Sequence, residues 1–221
     1  MKHQNNNDLT ELVFILDRSG SMAGLESDTV GGFNATIEKQ RRLPGKCLVS
    51  TVLFDNTSTV LHDRIDLTAV PPMTQQDYQV GGCTALLDAL GDAIRHIGNI
   101  HKYARAEDVP AHTVFVIMTD GMENASRRYG SDEVKAKIER QKETYGWEFL
   151  FLGANIDAVE TAKQFGIDES RAANYHADAD GTRAAYACVE TAVSTVRANK
   201  TLGKGWTQKV DLDFRSRKSK R

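Results

Sequence analysis

Two short, unbroken apolar runs that each stop at an aspartate constrain this chain more than any other feature. Leu12 to Leu16 ends at Asp17, and residues 113–118 (TVFVIM) lead into Thr119-Asp120-Gly121. Apolar runs without polar alternation are the pattern of strands buried on both faces. Such strands belong to parallel sheets, whose connections lay helices over both faces. A third run, Trp147 to Leu152 (WEFLFL), ends at Gly153-Ala154-Asn155.

The segments between these runs read as helices. Residues 28–42 carry Val30, Phe33 and Ile37 at helical spacing and close on Pro44-Gly45. Leu87, Leu90, Ala93, Ile94 and Ile97 form one stripe in a helix predicted from Thr84 to about His101, with Thr84 at or just before its start. Further helices are predicted over 131–145 (Val134 and Ile138 inward), over 158–165, and over 181–199, with Tyr186, Val189, Val193 and Val196 on one face. Residues 47–54 (CLVSTVLF) and 58–61 flank Asp55-Asn56-Thr57 as a hairpin, which places one antiparallel strand at a sheet edge. A short turn is expected at 75–78 and a weak strand at 174–176.

The predicted organisation is a polar leader over 1–9, one α/β domain over 10–200, and a basic C-terminal tail over 201–221, expected to be flexible. The tail ends FRSRKSKR and contains Arg215, Arg217, Lys218, Lys220 and Arg221. At 221 residues and 40% hydrophobic content the chain can bury one sizeable core. Its net charge of -2 gives no global attraction to nucleic acid or anionic membranes. No stretch approaches the ~20 apolar residues of a membrane span. Cys47, Cys83 and Cys188 are odd in number and widely spaced, so they are expected to be free, buried or half-buried thiols in a reducing, cytoplasmic setting.

The chemistry concentrates where the strands end. Asp17 and Asp120 each terminate a central strand, so both carboxylates are expected at the carboxyl edge of the sheet, where ligands bind in doubly wound folds. The loop after Asp17 adds Ser19 and Ser21, and the loop before the 84–101 helix adds Thr84. All five are oxygen donors, which select a hard cation, Mg2+ first, with Mn2+ or Ca2+ as alternatives. Gly20, Gly82 and Gly121 are expected to serve the turns. Glu123 and Asn124 are expected in a solvated loop that could rim the site. The six histidines show no metal-ligand spacing.

DRSGS at 17–21, GGCT at 81–84 and TDG at 119–121 resemble the three-part metal-ion-dependent adhesion site (MIDAS) of von Willebrand factor A (VWA) domains. The resemblance covers about residues 10–198. It implies a three-layer, mostly parallel six-stranded sheet in order 3-2-1-4-5-6, with helices on both faces. It implies that Ser19, Ser21 and Thr84 touch the metal directly, and Asp17 and Asp120 directly or through water. A partner's Glu or Asp would fill the open position. Among such domains the chain looks similar to stand-alone bacterial and phage proteins, including those associated with tellurium resistance.

The function implied is a metal-dependent protein-interaction module without catalysis. A second reading is a metal-dependent hydrolase or phosphotransferase with Asp17 as nucleophile. Such enzymes usually place a second acid two residues on, where this chain has Ser19, and no general base is identifiable. A third reading is nucleic-acid binding through the basic tail, which predicts steeply salt-dependent association.

Overall fold

The computed structural model of the chain describes residues 8–198 and 200–218. Six strands form one sheet: β1 (Thr10–Asp17), β2 (Cys47–Phe54), β3 (Ser58–Asp66), β4 (His112–Thr119), β5 (Glu148–Ala154) and β6 (Ala172–Tyr175). Their order is β3-β2-β1-β4-β5-β6. Only the β2–β3 hairpin is antiparallel. The order and the single antiparallel edge strand are as the sequence predicts, although β3 runs five residues further than expected and its pairing with β2 is irregular around Thr51.

β1 is central and buried along its whole length, so its alternate residues supply both cores. Leu12, Phe14 and Leu16 face α1 (Glu26–Arg41) and α5 (Ala179–Arg197), packing with Phe33, Ile37, Val189 and Val193. Val13 and Ile15 face the other side, where α2 (Leu86–Tyr103), α3 (Ser131–Tyr145) and α4 (Ala158–Gln164) contribute Leu90, Ile94, Val134, Ile138 and Ala162. The five predicted helices begin within two residues of their predicted starts, and the Asp178 side chain caps α5 by accepting the Gly181 amide.

The C-terminal segment corrects an expectation. Instead of a flexible tail, residues 204–207 form a 3-10 turn and Gln208–Lys218 form α6. Leu202, Trp206 and Val210 are buried in the α1/α5 core. The Trp206 indole donates to the Ser170 carbonyl at 2.8 Å, and the His176 ring stacks on Phe214 with centroids 4.6 Å apart. Arg217, expected in a flexible basic tail, is bound to Asp178 and Asp213. Ion pairing and three apolar anchors outweigh the charge of the segment. Lys220 and Arg221 lie outside the described residues, as do residues 1–7 of the leader.

Cys47, Cys83 and Cys188 are free thiols, and Cys83 is exposed rather than buried or half-buried. Among the described residues no helix is long and apolar enough to cross a membrane.

Candidate metal centre

Parallel pairing brings the two aspartates together. β1 and β4 are neighbours in the register Leu16↔Met118, so Asp17 at the end of β1 lies beside Thr119, with Asp120 one residue beyond. The Thr119 hydroxyl donates to Asp17 Oδ2. Asp17 Oδ1 accepts the Ser19 amide at 2.7 Å, which curls the loop into a 3-10 turn at Gly20–Met22. That turn sets the Ser19 and Ser21 hydroxyls 3.1 Å apart and lets Ser21 Oγ donate to Asp120 Oδ1 at 2.6 Å.

Thr84 enters from a third loop, two residues before α2. Its backbone is paired in both directions with Asn124: its amide donates to Asn124 Oδ1 at 2.9 Å, and its carbonyl accepts the Asn124 amide at 3.0 Å. A methyl group added to Gly121 would sit 3.1 Å from Thr84 Oγ1 and 3.4 Å from Ser21 Oγ, so both hydroxyls border one spot above Gly121. The five residues singled out in the sequence therefore converge.

Further backbone bonds lock the three loops. Gly20 N donates to Gly82 O at 3.0 Å, Gly81 N to Arg18 O at 2.9 Å and Ala85 N to Asp55 O at 2.8 Å. Gly82 has φ +74, a conformation side chains rarely adopt, and a Cβ there would lie 2.3 Å from Asn56 Oδ1. Asn56 Oδ1 in turn accepts the Cys83 amide. Tyr78 donates its hydroxyl to the Asp17 carbonyl from below.

The electrostatics are unbalanced. Asp17 and Asp120 are almost fully buried, at 1% and 2% exposure. Burial pushes the Asp17 carboxyl above its ordinary range against hydrogen bonds from Thr119 and Ser19. Burial likewise raises Asp120, opposed by the Ser21 hydroxyl and reinforced by the charge of Asp17. The adjacent cation, Arg18, turns away, pairing with Asp55 at 2.9 Å and donating to Thr59 at 3.1 Å. Asp120 Oδ2 is buried without a hydrogen-bond partner. Buried polar atoms are almost always paired, so an orphaned carboxylate oxygen beside a second buried carboxylate fits a cation site.

The donor set is hard. Among the described residues no group of three or more His, Cys, Asp and Glu side chains gathers. The centre instead offers two carboxylates and three hydroxyls, the composition suited to Mg2+, Mn2+ or Ca2+. His62 is engaged with Thr51, His96 with Asp63, and His101 with Glu11, all away from these loops.

Several supporting residues escaped the sequence reading. Thr119 belongs to the TDG motif, but nothing in its position marks it as the partner of Asp17, and Tyr78 and Asn56 have no spacing relation to the motifs they brace. Glu123 and Asn124, assigned to a solvated loop, are clamps: Glu123 Oε2 accepts the Leu87 amide at 2.8 Å, while Asn124 closes on Thr84.

No protein-family model and no curated protein matches the chain. Solved structures do. The vWF domain of the type V pili tip protein Mfa5 from Porphyromonas gingivalis superposes with a TM-score of 0.62 at 11% identity, over 88% of this chain and 97% of that one. The ArnB paralog VWA2 from Sulfolobus acidocaldarius gives 0.53 at 17% identity, over 89% and 46%. Proximal thread matrix protein 1 from the mussel byssus, solved with a zinc-occupied MIDAS motif, gives 0.59 at 14% identity, over 84% and 46%. The chain thus spans about half the length of the last two. Sheet order, helical layers and these superpositions together give this chain the fold of von Willebrand factor A domains.

Proposed function

We propose that this chain is a metal-dependent protein-interaction module. Ser19, Ser21, Thr84, Asp17 and Asp120 hold one divalent cation, Mg2+ in the cell, and a partner protein supplies a Glu or Asp carboxylate to it. The observation that carries the proposal is the buried, cation-free pair of carboxylates with Asp120 Oδ2 unpartnered. When bound, the ion supplies a positive centre that attracts an external carboxylate. The chain's own part is to hold two acids and three hydroxyls at one point through loops whose backbones are mutually hydrogen-bonded. Exposed Gly20 and Ser21 leave that point open to a partner.

This reading assigns no catalysis, since the constellation contains no general base and position 19 is a hydroxyl rather than a second acid. It places the protein in the cytoplasm, in keeping with three unpaired cysteines. A setting like that of tellurium-resistance-associated VWA proteins belongs to the same proposal.

The test is calorimetric titration with MgCl2, followed by partner capture from the native host with and without EDTA. The parent is expected to bind one equivalent of Mg2+ and Asp17→Ala none. Partner capture that survives chelation, or persists in Asp17→Ala, overturns the proposal.

A further inference from the structure

We infer that the partner segment carries an apolar side chain next to its metal-binding acid, and that Met122 is its seat. This inference rests on the metal–carboxylate reading above. Met122 immediately follows Asp120-Gly121 and is 72% exposed. Tyr103 and Tyr145, also strongly exposed, end α2 and α3 at the opposite pole of the domain.

The loop that presents Met122 is not loose. Glu123 Oε1 accepts the amides of Ala125 and Ser126 at 2.9 and 2.7 Å, while Oε2 accepts the Leu87 amide of α2. The Asp88 carboxylate accepts the amides of Arg127, Arg128 and Tyr129 at 3.1, 2.9 and 3.0 Å. With Asn124 tied to Thr84, the backbone on the C-terminal side of Met122 is pinned to α2. A methionine fixed in water beside a metal pole leaves its apolar surface without cover, and its unbranched thioether adapts to varied apolar shapes.

Charge selects the kind of partner. Arg128 on this loop is committed to Asp88 and Asp92. Arg127 is exposed, and its guanidinium pairs with no carboxylate among the described residues. Its backbone amide is bonded to Asp88, in the first turn of α2 and four residues along the chain from Thr84. A divalent ion, an apolar side chain and an uncommitted guanidinium at one pole complement an acidic segment with an apolar flank, such as Leu-Glu-Leu, better than an acidic segment with polar flanks.

The experiment titrates isotope-labelled protein in saturating MgCl2 with three capped pentapeptides, Gly-Leu-Glu-Leu-Gly, Gly-Ser-Glu-Ser-Gly and Gly-Leu-Gln-Leu-Gly, followed by amide chemical shifts. The Leu-Glu-Leu peptide is expected to bind about tenfold tighter than Ser-Glu-Ser, the difference that half-burying one large apolar side chain supplies. Met122→Ser, an exposed change, is expected to erase that preference while calorimetric Mg2+ binding stays as in the parent. Arg127→Ala is expected to weaken both glutamate peptides alike. Equal binding of the two glutamate peptides, or a preference that survives Met122→Ser, overturns the role of Met122 and leaves the carboxylate reading standing. Binding of Leu-Gln-Leu as tight as Leu-Glu-Leu, or no glutamate peptide binding to Mg2+-loaded protein, overturns the carboxylate reading and this inference with it.

Discussion

β1 carries two buried carboxyl groups, Glu11 near its start and Asp17 at its end, about 20 Å apart along the strand. Their surroundings are opposite. Glu11 is fully buried, yet Arg64 Nε reaches both of its oxygens at 2.9 and 3.0 Å and His101 Nε2 lies 3.0 Å away. Asp17 is met by the Thr119 and Ser19 hydroxyls, by backbone amides and by the charge of a second buried carboxylate, Asp120, with no cationic side chain among these partners. One end of the strand has its charge balanced within the protein, whereas the other lacks an internal cation and, on the proposed reading, receives one from outside. Buried charge is tolerated for stability where its partner is covalently present, and exploited for binding where the partner is withheld.

The largest effect that tests this contrast is at the closed end. Glu11→Ala strands Arg64 and is expected to cost about 3–5 kcal/mol in urea denaturation, the range for breaking a buried ion pair. A loss under about 1 kcal/mol would make the two ends equivalent. At the open end the sign reverses. In EDTA, Asp120→Asn is expected to be at least as stable as the parent, because it removes one of two unbalanced acids. A hundredfold excess of Mg2+ over its Kd should then stabilise the parent by about 2.7 kcal/mol and the variant not at all. A variant that unfolds more readily than the parent in EDTA would show that Asp120 is a structural acid like Glu11.

The smallest effect concerns Asp88, which anchors the loop beyond the candidate metal centre. Burial works to raise its carboxyl, but the amides of Arg127, Arg128 and Tyr129 outweigh it, and the group sits below its ordinary range. A depressed folded-state value means stability that is present above the unfolded carboxylate range and lost as pH falls through the folded value. Asp88→Asn is expected to cost about 1–2 kcal/mol at neutral pH and to flatten that acid limb. Amide hydrogen exchange over 122–129 reports it directly, and protection that is unchanged in the variant would assign the loop's rigidity to Glu123 and Asn124 instead.

Much of this molecule was legible in the sequence for a simple reason. The fold is built from apolar runs buried on both faces; Asp17, Ser19, Ser21 and Asp120 stand where two of those runs stop and Thr84 just before an apolar-striped helix, so all five could be read along the line of the chain. What braces them could not. Thr119 reaches Asp17 across 102 residues and Tyr78 across 61, through contacts that only tertiary structure creates. Glu123 and Asn124 look like loop residues because their partners are backbone amides of another segment. The C-terminal helix is a different failure: the charges of FRSRKSKR dominated, although Leu202, Trp206 and Val210 stand four residues apart in the spacing of one helical face.

That helix also bears on the two edges of the sheet. An open sheet has two edge strands, each able to template the next copy into a fibre. β3 answers with an irregular pairing and with Arg64 at φ +50, a kinked and charged border that a straight intruding strand matches poorly. β6 is only four residues long, and α6 packs against it through residues that a truncated chain would lack. The segment that reads as a solvated appendage thus packs beside an edge strand, and shortening the chain at residue 200 is expected to uncover the seat of its apolar anchors and to raise aggregation, as light scattering would report.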